Sequence, residues 1–179
     1  MKEGFCLFET AIGPCALAFA PSGLLGVQLP GASEGATRVR MHRLHPGLDE
    51  APPSPEAQEA IAAIRRLLAG ERLDLQEIRL DMAGLAPFNR AVYELARKIL
   101  PGTTLTYGEV AAGIDQPGAA QAVGQALGAN PFPIVVPCHR VMAAGGKSGG
   151  FSAPGGLVTK LKLLEIEGAP LGGSPGLFD

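Results

Sequence analysis

Three short runs decide the fold: Phe5-Cys6-Leu7-Phe8-Glu9-Thr10, Cys15-Ala16-Leu17-Ala18-Phe19 and Leu24-Leu25-Gly26-Val27-Gln28-Leu29. Ile12-Gly13-Pro14 and Pro21-Ser22-Gly23 separate them. Short β-rich runs bounded by Gly and Pro predict an antiparallel meander. Residues 31–53 carry mixed charge, then Pro46-Gly47 and Pro52-Pro53, and read as a loop. Ser54-Pro55-Glu56 predicts a helix start, with Ser54 as N-cap and Pro55 at the first helical position. Ile61, Ile64, Leu67 and Leu68 then share one helical face, and Gly70 reads as the stop. Leu73, Leu75 and Ile78 suggest one more strand. Met82-Ala83-Gly84-Leu85-Ala86-Pro87 reads as a linker.

The expected class is therefore α+β. A small N-terminal α/β lobe, an antiparallel sheet plus a helix, spans residues 1–81. A mostly helical C-terminal lobe spans 82–170, and the Gly/Pro-rich 171–179 is expected to be a flexible tail. Within the second lobe, a helix from Phe88 to Leu100 carries Phe88, Val92, Leu95 and Ile99 on one face, and Pro101-Gly102 ends it. Thr106-Tyr107-Gly108-Glu109 fits a capping box. Pro117 is expected to start a small-residue helix running to about Leu127. Phe132 to Pro137 is apolar and extended, and a glycine-rich loop from Gly145 to Gly156 leads into a last helix from about Leu157 to Glu167.

Composition narrows the function classes. With 179 residues the chain is one compact unit or two small lobes, and 46% apolar content excludes wholesale disorder. A net charge of -2 gives no global pull toward nucleic acid or anionic lipid. No apolar run reaches the roughly 18 residues of a membrane span, and the start Met1-Lys2-Glu3-Gly4 lacks the pattern of a secretory signal, so no membrane partner is expected and the cytoplasm is the expected compartment. Three cysteines do not make a disulfide framework.

The chemistry concentrates in Pro137-Cys138-His139-Arg140-Val141. A thiol is a useful nucleophile only as thiolate, and an imidazole can take its proton, directly or through a water, when a carboxylate holds the other ring nitrogen. An adjacent Cys and His do not guarantee that geometry; a buried structural Cys beside a surface His is the plainer reading of the dipeptide alone.

The wider context resembles one family, the O6-alkylguanine-DNA alkyltransferases, or methylated-DNA–protein-cysteine methyltransferases. Pro137-Cys138-His139-Arg140-Val141 resembles their active-site signature. Thr106-Tyr107-Gly108-Glu109-Val110-Ala111 is similar to the segment with the base-flipping tyrosine, and Ala122-Val123-Gly124 to part of the recognition helix. Asn130-Pro131 and Ile134-Val135-Val136-Pro137 precede the nucleophile, and Gly150-Phe151-Ser152, Gly155-Gly156, Lys160, Leu163-Leu164 and Glu167-Gly168 follow it. The likeness is strong over residues 81–170 and loose before them.

The resemblance implies a C-terminal lobe like a winged helix-turn-helix, whose second helix meets the minor groove of double-stranded DNA. It implies a monomer that needs no cofactor and no metal. An alkyl group on guanine O6, or thymine O4, would pass once and irreversibly to Cys138. His139 would be the base through a water, with Glu167 orienting it; Glu165 lies two residues away as a competitor. Asn130 would hold the nucleophile segment, and is also expected to be a left-handed C-cap of the preceding helix. Tyr107 would bind the guanine ring and favour flipping, Ser152 would donate to O6, and the Val141 carbonyl would accept from the exocyclic amine. Phe151 stands in the same loop, where some relatives carry Tyr. Ala120, Ala122 and Gly124 would allow close approach to DNA. Arg140 reads as a structural ion-pair partner.

The chain departs from the family at Gln121, where an arginine usually enters the base stack. The segment from Gln116 to Asn130 has no Lys or Arg. Residues 81–179 balance Arg90, Arg97, Lys98, Arg140, Lys147, Lys160 and Lys162 against Asp81, Glu94, Glu109, Asp115, Glu165, Glu167 and Asp179, a net of zero. Ala153-Pro154 also lengthens the loop after Ser152 relative to some relatives. Two other classes stay open at this point: a non-catalytic binder of alkylated DNA, and an alkyl acceptor for a non-duplex or small-molecule substrate. Some relatives bind zinc; Cys6, Cys15, His42 and His45 match that ligand number, though not a recognised spacing.

Overall fold

The structure is a computed structural model and describes residues 3–146 and 156–169. The expected tail therefore lies outside the described residues, as do Phe151, Ser152 and the Ala153-Pro154 pair. Strands β1 (Gly4–Thr10), β2 (Gly13–Ala20) and β3 (Gly23–Gln28) form the expected antiparallel meander. Register pairs Cys6 with Leu17 and Phe8 with Cys15 across β1 and β2. Gly23 turns the chain into β3 at φ +125°, and a Cβ there would stand 2.7 Å from the Arg79 carbonyl oxygen, so glycine is required on both counts.

Both faces of the sheet are covered, which explains the unbroken apolar run of β2. One face packs on α2 (Pro55–Leu68) through Ile61, Ile64, Leu67 and Leu68. Ser54 caps this helix by accepting from the Ala57 N–H, with Pro55 in the first turn, as the sequence predicts. The other face packs Phe5, Ala16 and Ala18 on Met41 of α1 (Glu34–Leu44).

Helix α1 replaces the loop expected over 31–53. It has no apolar stripe, and only Thr37 and Met41 are buried. Its ends hold it instead: Ser33 accepts from the Ala36 N–H, Glu34 lies at the positive end, and His42 and Arg43 at the negative end. A second correction concerns Leu73–Ile78, where no strand forms. Arg97 donates to the carbonyls of Leu75 (2.8 Å) and Ile78 (2.7 Å), satisfying backbone that a sheet would otherwise have paired. Chain pairing appears just beyond, where Leu24 N–H donates to Arg79 and Asp81 N–H to Leu24. The possible zinc donors are divided by the sheet. Both cysteines lie on the α2 face, while His42 packs edge-on against Phe5 on the α1 face, so the four cannot close one tetrahedral site.

The helical lobe contains α3 (Pro87–Ala96), α4 (Tyr107–Gly113), α5 (Ala120–Gly128) and α6 (Gly156–Glu167). Helix α3 is shorter than expected, ending before Leu100. Both capping-box bonds are present at α4: Glu109 N–H to Thr106 Oγ1 (3.0 Å), and Thr106 N–H to Glu109 Oε1 (2.8 Å). Helix α5 starts at Ala120 rather than Pro117, because Gly118 at φ +92° breaks the chain direction first. The pair α4–α5 packs as a helix-turn-helix. Short strands β4 (Leu105–Thr106) and β5 (Val141–Met142) pair in parallel beside it. One continuous core runs from Phe8 and Leu17 through Ile64 to Tyr93, Val123 and Cys138. None of the described helices is long and apolar enough to cross a membrane.

Ile64 is fully buried between the sheet and the rest of α2. Ile64→Ala is expected to lower the unfolding free energy by about 2–5 kcal/mol, and Ile64→Val by about 0.5–1.5, read from denaturant midpoints at unchanged slope.

Candidate active site

Cys138, the expected nucleophile, is delivered by a chain of tight turns. Helix α5 ends at Gly128 with Ala129 as its C-cap (φ -97°), and Asn130 is not in the left-handed region, which corrects the expected C-cap. Asn130 works through its side chain. Oδ1 accepts from the Phe132 N–H (2.8 Å), and Nδ2 donates to the Val136 carbonyl (2.9 Å). One amide thus clips both ends of segment 132–136. Inside the clip, Val136 N–H donates to Phe132 (2.7 Å), and Ile134 sits at φ +77°. A β-branched residue there carries strain of about 1–3 kcal/mol, held by its complete burial. From outside, β3 donates the Val27 N–H to the Pro131 carbonyl (2.9 Å). Pro137 (φ -77°, ψ 67°) then makes an inverse γ-turn, closed by Cys138 N–H to Val136 (2.7 Å), and Cys138–Arg140 form one 3-10 turn.

That turn brings together three of the expected residues. His139 Nε2 lies 2.9 Å from Glu167 Oε2, and both side chains are buried. Arg140 grips the same carboxylate with two bonds, Nε to Oε1 (2.9 Å) and Nη2 to Oε2 (2.7 Å), and a third nitrogen donates to the Ile99 carbonyl. Glu167, not Glu165, is the partner. Burial alone would push the Glu167 carboxyl up, but the hydrogen bonds and charges of His139 and Arg140 outweigh it and hold the group at about 2. An ionised carboxylate only accepts, so Nε2 of His139 carries the proton and Nδ1 is the bare acceptor. Nδ1 is buried and has no hydrogen-bond partner among the described residues. Burial lowers the His139 pKa despite Glu167, so the ring rests neutral and able to take a proton.

Cys138 is 8% exposed. Burial pushes its thiol up, against opposing pulls from the Asn130 amide and the Lys160 ammonium. The resting pair is a thiol and a neutral imidazole, so ionisation must accompany reaction. Cys6 and Cys15 are also pushed up, to about 11, chiefly by burial, and neither has an imidazole–carboxylate pair.

Two residues of this site were given no role by the sequence, where Lys160 stood only as part of the family motif and Tyr93 was not singled out. Lys160 is fully buried, with burial bringing it down to about 8. Its Nζ donates to the Val141 carbonyl (2.8 Å) and lies 5.9 Å from the centre of the Tyr107 ring. Val141 O is therefore already engaged and keeps one lone pair for a ligand. A signal was present: Lys160, Leu163, Leu164 and Glu167 share one helical stripe, and a lysine in a buried stripe points to function. The second, Tyr93, is buried on α3 and donates to the Ala126 carbonyl (2.6 Å), tying α3 to α5.

Tyr107 is half-buried at the first position of α4, and a Cβ on Gly124 of α5 would stand 4.0 Å from its ring. Gln121 is exposed one residue into α5; Ala120, Ala122 and Gly124 are half-buried on the same helix. They lie on the far element of the helix-turn-helix, not within the thiol–imidazole–carboxylate cluster.

A buried thiol beside a carboxylate-held imidazole, mounted behind a helix-turn-helix, defines a protein that uses a cysteine next to a nucleic-acid-binding frame. Residues 87–169 match the family described as 6-O-methylguanine DNA methyltransferase, DNA binding domain. The methylated-DNA–protein-cysteine methyltransferase of Mycobacterium leprae is 36% identical over 96% of both chains. A DNA base-flipping protein of Thermus thermophilus is 42% identical over 72% of this chain and 87% of its own. The crystal structure of Mycobacterium tuberculosis OGT in complex with DNA superposes with a TM-score of 0.74 at 34% identity, covering 98% of this chain and 99% of that one. The chain belongs to the methylated-DNA–protein-cysteine methyltransferase family.

Removing Glu167 strands Arg140. Glu167→Gln is expected to cost about 3–5 kcal/mol of stability at neutral pH. The carboxyl is held below its ordinary range in the fold, so its contribution is present above about 4.5 and is lost as pH falls toward about 2. The gap between wild type and Glu167→Gln in denaturant unfolding should therefore close over that window.

Proposed function

We propose that the protein repairs O6-alkylguanine in double-stranded DNA by a single, irreversible transfer of the alkyl group to Cys138. One observation carries this reading: Cys138 and the bare Nδ1 of a neutral, Glu167-anchored His139 belong to one buried turn. In the reaction, His139 Nδ1 takes the thiol proton through a water, and Glu167 stabilises the resulting imidazolium. The Sγ–carbon bond forms as the carbon–O6 bond breaks, and the electron pair leaves with guanine. The proton passes on to the departing base, and the product is a stable thioether. Thymine O4 presents the same alkyl–oxygen chemistry.

Asn130 holds the nucleophile segment through its two hydrogen bonds. Lys160 lends positive charge to the thiolate and anchors the Val141 carbonyl, whose second lone pair accepts from the guanine amine. Tyr107 binds the flipped base from the start of α4. Ser152 and Phe151 are assigned to the same pocket from the family resemblance. Helix α5 enters the minor groove, with Ala120, Ala122 and Gly124 permitting close approach and Gln121 wedging into the stack. Flipping costs a few kcal/mol of unstacking. In this reading residues 1–81 are a supporting lobe, 82–170 the working lobe and 171–179 a tail. The protein acts as a monomer in the cytoplasm.

Mixing the protein with a duplex carrying one O6-methylguanine should add one methyl to the intact mass, with none added to Cys138→Ser. An unmodified, folded and reduced wild-type protein would overturn the reading and leave binding without chemistry. A second expectation follows from the neutral recognition helix. Gln121→Arg should tighten duplex binding and steepen the slope of log K against log salt by about 0.9 for one added phosphate contact; equal slopes would show that position 121 does not meet the backbone.

A further inference from the structure

The nucleophile opens on more space than a methyl group needs. A cavity of about 380 Å³ lies between the two lobes, with Cys138, Asn130 and Pro133 on one side and Gln28, Arg40 and His45 on the other. That is the scale of small-molecule sites, roughly 300–1,000 Å³. Gly26 helps keep it open to the His45 ring: a Cβ there would stand 3.0 Å from His45 Nε2.

The charge of this cavity is one-sided. Arg38, Arg66, Arg79 and Arg90 each meet a carboxylate. Arg40 is instead held by a neutral group, its Nε donating to Gln28 Oε1 (3.0 Å), and no Asp or Glu among the described residues lines the cavity. Gln28 is itself buried, 6% exposed, so it fixes the guanidinium without neutralising it. A half-buried guanidinium positioned in this way retains its terminal nitrogens as a fork for a planar anion.

We propose that this interlobe cavity receives the distal part of alkyl groups larger than methyl, and that Arg40 makes it selective for those ending in a carboxylate. This rests on Cys138 being the alkyl acceptor. The step is unchanged in its balance: Sγ bonds to the O6-bound carbon, that carbon leaves O6 with the pair remaining on guanine, and the product is S-carboxyalkylcysteine. Arg40 touches only the tail, so it governs which substrate is preferred.

The test compares single-turnover transfer from duplexes bearing O6-methylguanine, O6-carboxymethylguanine and the neutral, nearly isosteric O6-carbamoylmethylguanine. Wild type, Arg40→Met and Arg40→Lys are compared, with adducts located by peptide mass. Within one protein the ratio of carboxymethyl to carbamoylmethyl rates cancels differences in folded fraction. The expected ratio is about tenfold in wild type, falling to about one in Arg40→Met and partly kept in Arg40→Lys. Methyl transfer with a ratio that Arg40→Met leaves unaltered overturns the inference alone. So does an equal fall for all three duplexes, which would make Arg40 a DNA-backbone contact, or methyl transfer with neither larger group accepted. Absence of any adduct on Cys138, methyl included, overturns the underlying reading as well.

Discussion

The carboxylate of Glu167 is the constraint on which the site depends. It is buried at the end of α6, far in sequence from the turn it organises, and it accepts from both His139 and Arg140. Two consecutive side chains of one 3-10 turn therefore point at one anion. Arg140 supplies the charge that keeps Glu167 ionised inside the core. Glu167 in turn selects the tautomer of His139 and frees Nδ1. Arg140 never needs to touch a substrate to matter, because without it the buried carboxylate would have only a neutral imidazole to offset a desolvation penalty of several kcal/mol.

Around this anchor, the segment before the nucleophile is held from three directions. Asn130 clips its two ends, the edge of β3 holds Pro131, and the core encloses Ile134 in a backbone conformation it would not adopt alone. The small N-terminal sheet is therefore more than a cover. It hydrogen-bonds the nucleophile segment, and with α1 it forms one wall of the cavity that reaches Cys138. Burial of both partners keeps the thiol protonated and the imidazole neutral at rest.

Much of this was legible in the sequence. The meander, the Ser54-Pro55 helix start and the Thr106–Glu109 capping box depend on neighbours within a few residues, and all are present. The family resemblance singled out Cys138, His139 and Glu167, and His139 does meet Glu167 in the fold. Helix α1 was not, because capping and charge at its ends hold it instead of an apolar stripe. The strand expected at Leu73–Ile78 failed because Arg97, a distant side chain, took its carbonyls. Asn130 was expected both to hold the segment before Cys138 and to cap α5 in a left-handed conformation; its side chain bonds both ends of that segment, but its backbone is not left-handed.

The sequence by itself determined which residue types stand next to one another: the short apolar runs bounded by Gly and Pro that make the strands, the caps that start helices, and the thiol with its adjacent imidazole. The tertiary structure alone decided that Arg140 shares the Glu167 carboxylate with His139, that Lys160 turns inward to Val141, that Cys6 and Cys15 lie across the sheet from His42, and that Arg40 borders the space beside Cys138. The physical reason is range. Periodicity and capping are local and read in a few residues. Ion pairing, desolvation and cavity formation depend on segments far apart in the chain, and exist only once the core has brought those segments together.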